Sequence, residues 1–262
     1  NNVESLIKTF TKVKDSNKPV VVHIHTLKGK GYEPAEQDKE TYHWQLPGFI
    51  ERAGKVQPKV ETYNTITNDF ILSKKKKDPS VIAVSPATPG ATGMTKDFRK
   101  QMGENYTDVG IAEQHAITMS AGMAKEGMIP VIPIYSSFYQ RAYDQVIHDI
   151  ALQNLPVIMC VDRAGVVGSD GETHQGTLDM AFFRIVPNLT IMAPKDVKEL
   201  EDMLEFAVKL NKPVIIRYPR GGEDSKVKFE RHENIELGKA EVLKKIIDEE
   251  KYSYENYLKN EI

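Results

Sequence analysis

An acidic residue, Glu113, stands where a helix is expected to begin, in the stretch DVGIAEQHAITMSAGMAKEG. A carboxylate in the first turn of a helix commonly does no more than complement the positive end of the helix dipole. At the carboxyl end of a strand and partly desolvated, the same group can donate or receive a proton. Two arginines, Arg163 and Arg220, follow the apolar runs PVIMCV and PVIIRY. Guanidinium groups converging from separate strands can grip a phosphate bidentately, whereas an isolated exposed arginine is usually a surface solubiliser. Phe138, in YSSFYQR, lies just past an expected strand end and by itself reads as core packing. Arg141 follows three residues on, which is the same face if the stretch is helical. Lys28 and Tyr32 occupy LKGKGYEPAE, a glycine-rich loop that either approaches a ligand closely or simply turns in water. His43 in ETYHW, Asp170 and His174 in SDGETHQG, and Tyr135 at the end of an apolar run complete the polar groups that could touch a substrate.

These side chains need a frame, and from Glu61 onward the sequence supplies one. A helix is expected from Thr62 to Lys77 and a strand from Val81 to Val84. A strand from Tyr106 to Val109 precedes a helix from Ala112 to Lys125, and a strand from Ile129 to Ile134 precedes a helix from Gln140 to Gln153. A strand from Pro156 to Val161 leads into a glycine-rich loop. The short run Leu189 to Met192, a helix from Val197 to Leu210 and a strand from Val214 to Tyr218 follow. Repeated strand–helix units of this kind imply an α/β fold, a mostly parallel sheet with helices on both faces. In such sheets the ligand crevice lies beyond the carboxyl ends of the strands. The segments Gly110 to His115, Tyr135 to Arg141, Asp162 to His174 and Arg217 to Gly221 all fall there.

Residues 1–54 read differently, as a helix from Val3 to Val13, a turn from Asp15 to Pro19 and an apolar strand from Val20 to Thr26 covered on both faces. One helix and one strand cannot close a core, so this segment is expected to complete a sheet whose other strands lie elsewhere. Residues 55–61 read as a linker, 62–222 as the α/β domain and 223–262 as a charged C-terminal extension.

A chain of 262 residues, 40% hydrophobic, holds one full core and a smaller second unit. Its net charge of −2 gives no field for nucleic acid, and Lys74 to Lys77 suit the negative end of a helix. Cys160 is the only cysteine, which excludes an intrachain disulfide and fits a small core residue in a reducing cytoplasm. No apolar run reaches the length of a membrane span. The chain opens on NNVESL, without Met, and is expected to begin inside a longer protein.

DVGIAEQH resembles the glutamate motif of the transketolase-like thiamine-diphosphate enzymes. IPIYSSFYQRAYDQVIHDIALQNLPV, DRAGVVGSDGETHQGTLDMAFFRIVPN and TLKGKGYEPAEQDKETYHW narrow the likeness to the 1-deoxy-D-xylulose-5-phosphate synthase family, over most of residues 19–222. The resemblance implies a thiamine-diphosphate-binding, pyrimidine-type domain. The implied reaction condenses pyruvate with D-glyceraldehyde 3-phosphate, losing carbon dioxide, to give a precursor of isoprenoids, thiamine and pyridoxal. It implies that Glu113 bonds to a ring nitrogen of the cofactor's aminopyrimidine, that Phe138 stacks on that ring, and that Arg141, Tyr32 and Lys28 line the cofactor. His43 and His174 are implied at the reacting centre. Tyr135, Arg163, Asp170, His174 and Arg220 are implied as substrate contacts. The cofactor carries the bond chemistry and the protein positions it.

The family holds Mg2+ through a GDG motif and a following Asn. No GDG occurs here, SDGE being a superficial echo, so no metal ligand is assigned in this chain. Residues 1–54 are accordingly expected to be the remnant of a diphosphate-binding domain. The chain is expected to be inactive alone, to belong to a homodimer, and to need a missing domain or a complementary chain. Two other readings stay open. A transketolase-like or 2-oxo-acid dehydrogenase β-type subunit would share the glutamate motif but not the RAYDQ and DGETHQG context. A non-catalytic module would stabilise or regulate a full-length partner.

Overall fold

The computed structural model of the chain describes residues 2–43, 61–168, 170–223 and 235–241. The chain divides into two compact units, 1–59 and 60–262.

In the first unit, helix α1 spans Val3–Val13, and the side chain of Asn2 caps it by accepting from the Ser5 amide at 2.9 Å. None of its residues is buried, and Val3, Ile7 and Phe10 share one exposed face. Helix α2, Glu33–Gln37, starts with Pro34 in its first turn, where a missing amide costs nothing. Before it, Gly29 takes a left-handed φ of 82°, and a Cβ there would lie 2.8 Å from that of Ala35. The expected strand from Val20 to Thr26 does not form: it pairs with no strand among the described residues, and Val21 is 94% exposed. A strand is defined by its ladder, and an apolar run without partners cannot make one.

The second unit is built on one sheet. Its strands are β1 (Val81–Ser85), β2 (Tyr106–Asp108), β3 (Ile129–Tyr135), β4 (Ile158–Asp162), β5 (Thr190–Met192) and β6 (Val214–Arg217). They run in the order β2-β1-β3-β4-β6-β5, and every neighbouring pair is parallel. The period of two divides each central strand between two cores. Val81, Ala83, Val131, Ile158, Cys160, Val214 and Ile216 face one helical layer; Ile82, Val84, Ile132, Ile134, Met159, Val161 and Ile215 face the other.

The first layer holds α3 (Tyr63–Lys77), α4 (Lys96–Met102) and α9 (Val197–Leu210). Thr62 and Thr65 close a reciprocal capping box on α3, and four lysines sit in its last turn. Asp196 caps α9 by accepting from the Glu199 amide at 2.6 Å. Leu200, Met203, Leu204 and Ala207, one stripe of that helix, are buried. The short α4 was not expected; Thr95 caps it, and Phe98 and Met102 anchor it.

The second layer holds α5 (Glu113–Lys125) and a helical run that departs from expectation. Rather than starting at Gln140, it follows β3 without a loop. It comprises α6 (Ser136–Tyr139), a 3-10 turn (Gln140–Ala142), α7 (Tyr143–Gln145) and a π segment (Val146–Ala151). The buried Tyr139 hydroxyl donates to the Ile132 carbonyl at 2.9 Å and pins this turn under the strand end. Helix α8 (Asp179–Phe183) closes the layer, with a bidentate ion pair from Arg217 to the buried Asp179 at 2.8 and 3.1 Å. No helix among the described residues is long and apolar enough to cross a membrane. Residues 55–60 of the expected linker, and the expected charged extension apart from Glu223 and 235–241, lie outside the described residues.

Candidate active site

Glu113 is the first residue of α5, reached from β2 by a tight turn. Asp108 accepts the amides of Gly110 at 2.9 Å and Ala87 at 3.1 Å, and Gly110 takes φ 73°. Ala112, at the cap, offers no side-chain acceptor. Glu113 is 2% exposed. Arg141 Nη1 lies 2.9 Å from Glu113 Oε2. That approach balances charge but misses hydrogen-bond alignment, so Oε2 is buried without a hydrogen bond. Burying such an oxygen costs free energy unless a donor reaches it. A ligand nitrogen carrying a proton is a suitable donor.

Beside it, β3 ends at Tyr135 and β4 at Asp162, and the two are register partners. Phe138 stacks on Tyr135 with ring centroids 4.8 Å apart and planes 16° from parallel. The edge of His174 meets both rings, at 5.9 Å from Tyr135 and 5.3 Å from Phe138. Arg163 follows Asp162 with a left-handed φ of 59°, unusual for a residue with a Cβ. This turn places its guanidinium carbon 3.7 Å from the Tyr135 ring centroid. Arg163 Nε donates to Asp170 at 2.6 Å, and Nη1 donates to Asp162 and to the Ala91 carbonyl at 3.3 Å. Arg220, two residues past Tyr218, donates to the other oxygen of Asp170. One carboxylate therefore holds both arginines together.

The loop carrying Asp170 and His174 returns through a Gly165–Gly176 bridge. Gly176 packs against the Arg163 carbonyl and Ser136, and a Cβ there would lie 2.8 Å from the serine Cβ. Burial pushes Tyr135 up to about 12 and Asp162 up to about 6, the latter against the opposing pull of Arg163 and Asn64.

The second unit thus gathers Glu113, Arg141, Tyr135, Phe138, Arg163, Asp170, His174 and Arg220 at the carboxyl ends of β2, β3, β4 and β6. Lys28, Tyr32 and His43 belong to the first unit. There Lys28 Nζ contacts His43 Nδ1, and Tyr32 meets Tyr42 edge-on at 5.5 Å. Two participants were not read from the sequence. Asp162 ends a buried strand directly before Arg163, a position that could have marked it. Asn64, 98 residues away on α3, bonds to Asp162 at 3.1 Å and carried no sequence signal. No cluster that could hold a metal ion occurs among the described residues.

Residues 61–222 match the family described as transketolase, pyrimidine binding domain. The chain is 48% identical over 245 residues to a 1-deoxy-D-xylulose-5-phosphate synthase of Glaesserella parasuis, covering 93% of this chain and 39% of that protein. A synthase of the same description from Natranaerobius thermophilus is 48% identical over 246 residues, with 93% and 39% covered. The chain therefore spans about two fifths of the length of these relatives. Among solved structures, one described as a split gene transketolase, inactive β4 tetramer, shares 25% identity with a TM-score of 0.54, covering 64% of this chain and 55% of that one. A transketolase from Campylobacter jejuni superposes with a TM-score of 0.57 at 16% identity, covering 73% and 33%.

Proposed function

The chain belongs to the transketolase pyrimidine-binding domain family, and on that premise we propose that it is the pyrimidine-side portion of a 1-deoxy-D-xylulose-5-phosphate synthase. The observation that carries this reading is Glu113: a carboxylate 2% exposed, at a strand's carboxyl end, with Oε2 lacking a hydrogen bond. Thiamine diphosphate, when bound, supplies the carbon nucleophile that joins pyruvate-derived carbon to the aldehyde. Glu113 shares a proton with the aminopyrimidine ring nitrogen, and Arg141 balances its charge from 2.9 Å. Phe138, backed by Tyr135, offers a ring face to the pyrimidine. Arg163 and Arg220 take the phosphate of D-glyceraldehyde 3-phosphate, with Asp170, His174 and Tyr135 as further substrate contacts.

Residues 1–54 are assigned as the end of a diphosphate-binding domain, 55–61 as a linker, 62–222 as the pyrimidine domain and 223–262 as an extension. Within the first segment, Lys28 and Tyr32 face the cofactor and His43 acts at the reacting centre. Mg2+ and the diphosphate are held by protein outside this sequence. A homodimer and a cytoplasmic setting are assigned with it, the latter supported by the single, buried Cys160.

The test is Glu113→Gln in enzyme reconstituted with the polypeptide that holds the diphosphate. Turnover of pyruvate and D-glyceraldehyde 3-phosphate should fall by roughly 10²–10⁴-fold while folding is unchanged. A variant that keeps near-normal turnover removes Glu113 from the chemistry. Product identity separates this reading from a transketolase-like or 2-oxo-acid dehydrogenase β-type subunit. A non-catalytic partner module is the reading that survives if the reconstituted wild type is inert.

A further inference from the structure

Asp162 has no role in the chemistry above, yet it lies against the arginine assigned to phosphate. It is fully buried, at 0% exposure. Its Oδ2 accepts from Arg163 and from Asn64, while Oδ1 is buried with no hydrogen-bond partner. A buried carboxylate oxygen without a donor makes the charged form costly and leaves a lone pair where a proton can attach. Burial has already pushed this carboxyl up to about 6.

Several groups face it among the described residues. Cys160, on its own strand, is a neutral thiol pushed up to about 12 by burial. Tyr135, on β3, is likewise pushed up to about 12, and Tyr218, after β6, is raised well above its ordinary value. Asn64, from α3, is neutral. Among the described residues, the charges linked to it directly or through Asp170 include those of Arg163, Asp170 and Arg220. With Asp162 ionised, two guanidinium groups are matched by two carboxylates. A phosphate dianion arriving on the same guanidinium groups leaves the cluster two negative charges in excess, in a poorly solvated place.

We propose that an anion docking on Arg163 and Arg220 draws a proton from solvent onto Asp162, so that substrate phosphate binding and protonation of this buried acid are one linked event. No bond between heavy atoms forms or breaks; the proton attaches to the unpartnered Oδ1. The proposal rests on the reading of the two arginines as a phosphate site, and the experiment separates the two.

Inorganic sulfate is the probe, because it stays a dianion across the range where phosphate esters themselves titrate. Its binding to the 262-residue chain is followed by calorimetry in buffers of unlike ionisation enthalpy. The expected result is net proton uptake near pH 7. Affinity should rise as pH falls from 8, by at most about tenfold per unit, and level off below about 6, where Asp162 is protonated before the anion arrives. Asp162→Asn should abolish the uptake and flatten the affinity. Asn64→Ala removes a hydrogen bond to the ionised carboxylate and should move the pH of greatest uptake upward, which keeps the test decisive if Asp162→Asn does not fold. Sulfate binding that depends on Arg163 and Arg220 but carries no proton overturns the linkage and leaves the phosphate site standing. Binding indifferent to replacement of either arginine, or absent altogether, overturns both.

Discussion

Arg163 and Arg220 share one carboxylate, and the sharing is unequal. Arg163 has its side chain 6% exposed and is held by Asp162, Asp170 and the Ala91 carbonyl. Arg220 is 34% exposed and meets the other oxygen of Asp170. A lysine at position 163 has one nitrogen on a flexible stem and cannot satisfy those acceptors from the fixed planar fork that also covers Tyr135. In reconstituted enzyme, Arg163→Lys should raise the KM for D-glyceraldehyde 3-phosphate by roughly 10–100-fold and change kcat less, with a smaller effect for Arg220→Lys. Steady-state kinetics decide it; an unchanged KM in both variants rejects the phosphate site. Glu113, Phe138, Arg141, Arg163, Asp170 and His174 were named from sequence because they lie in long motif stretches, and Arg220 because it follows an apolar run expected to be a strand. Asp162 was passed over because a carboxylate at the end of an apolar run looks like the first polar residue of a loop. Asn64 was beyond reach, because only folding brings α3 over the end of β4.

At the scale of elements, legibility followed local chemistry. Helices α3 and α9 were readable because Thr62 and Asp196 cap them and their apolar stripes have helical period. The central strands were readable as unbroken apolar runs. The run after β3 was misplaced because nothing separates strand from helix: Tyr135 ends one and Ser136 begins the other, with no glycine, proline or capping side chain at the join. The segment Val20 to Thr26 looked like a strand because residue type reports β preference, whereas a ladder depends on partners that a local reading cannot supply. The loop between Arg163 and Gly176 offers a stability test. A Cβ at Gly176 would strike the Arg163 carbonyl, a backbone atom that cannot move aside cheaply. Gly176→Ala should therefore lower unfolding free energy by about 2 kcal/mol or more. Gly168→Ala, where a Cβ meets nothing within 4 Å, should stay within about 0.5 kcal/mol. Urea denaturation of both variants checks the contrast; equal effects would mean that the bridge is not the constraint.

For the molecule as a whole, the decisive fact is that 93% of the chain aligns with only 39% of its synthase relatives. The residues gathered at the strand ends are those assigned above to a pyrimidine ring and a phosphorylated substrate, and no candidate metal cluster occurs among the described residues. Incubated alone with thiamine diphosphate, Mg2+, pyruvate and D-glyceraldehyde 3-phosphate, the 262-residue chain should release no 1-deoxy-D-xylulose 5-phosphate above background. Adding the polypeptide that carries the diphosphate side should restore it. Product from the isolated chain would show that the division of labour assigned here is wrong. The seamless join between β3 and the helical run has its own consequence. Tyr135, Phe138 and Arg141 ride on one stiff piece of backbone, so no one of them can be re-aimed without carrying the others along.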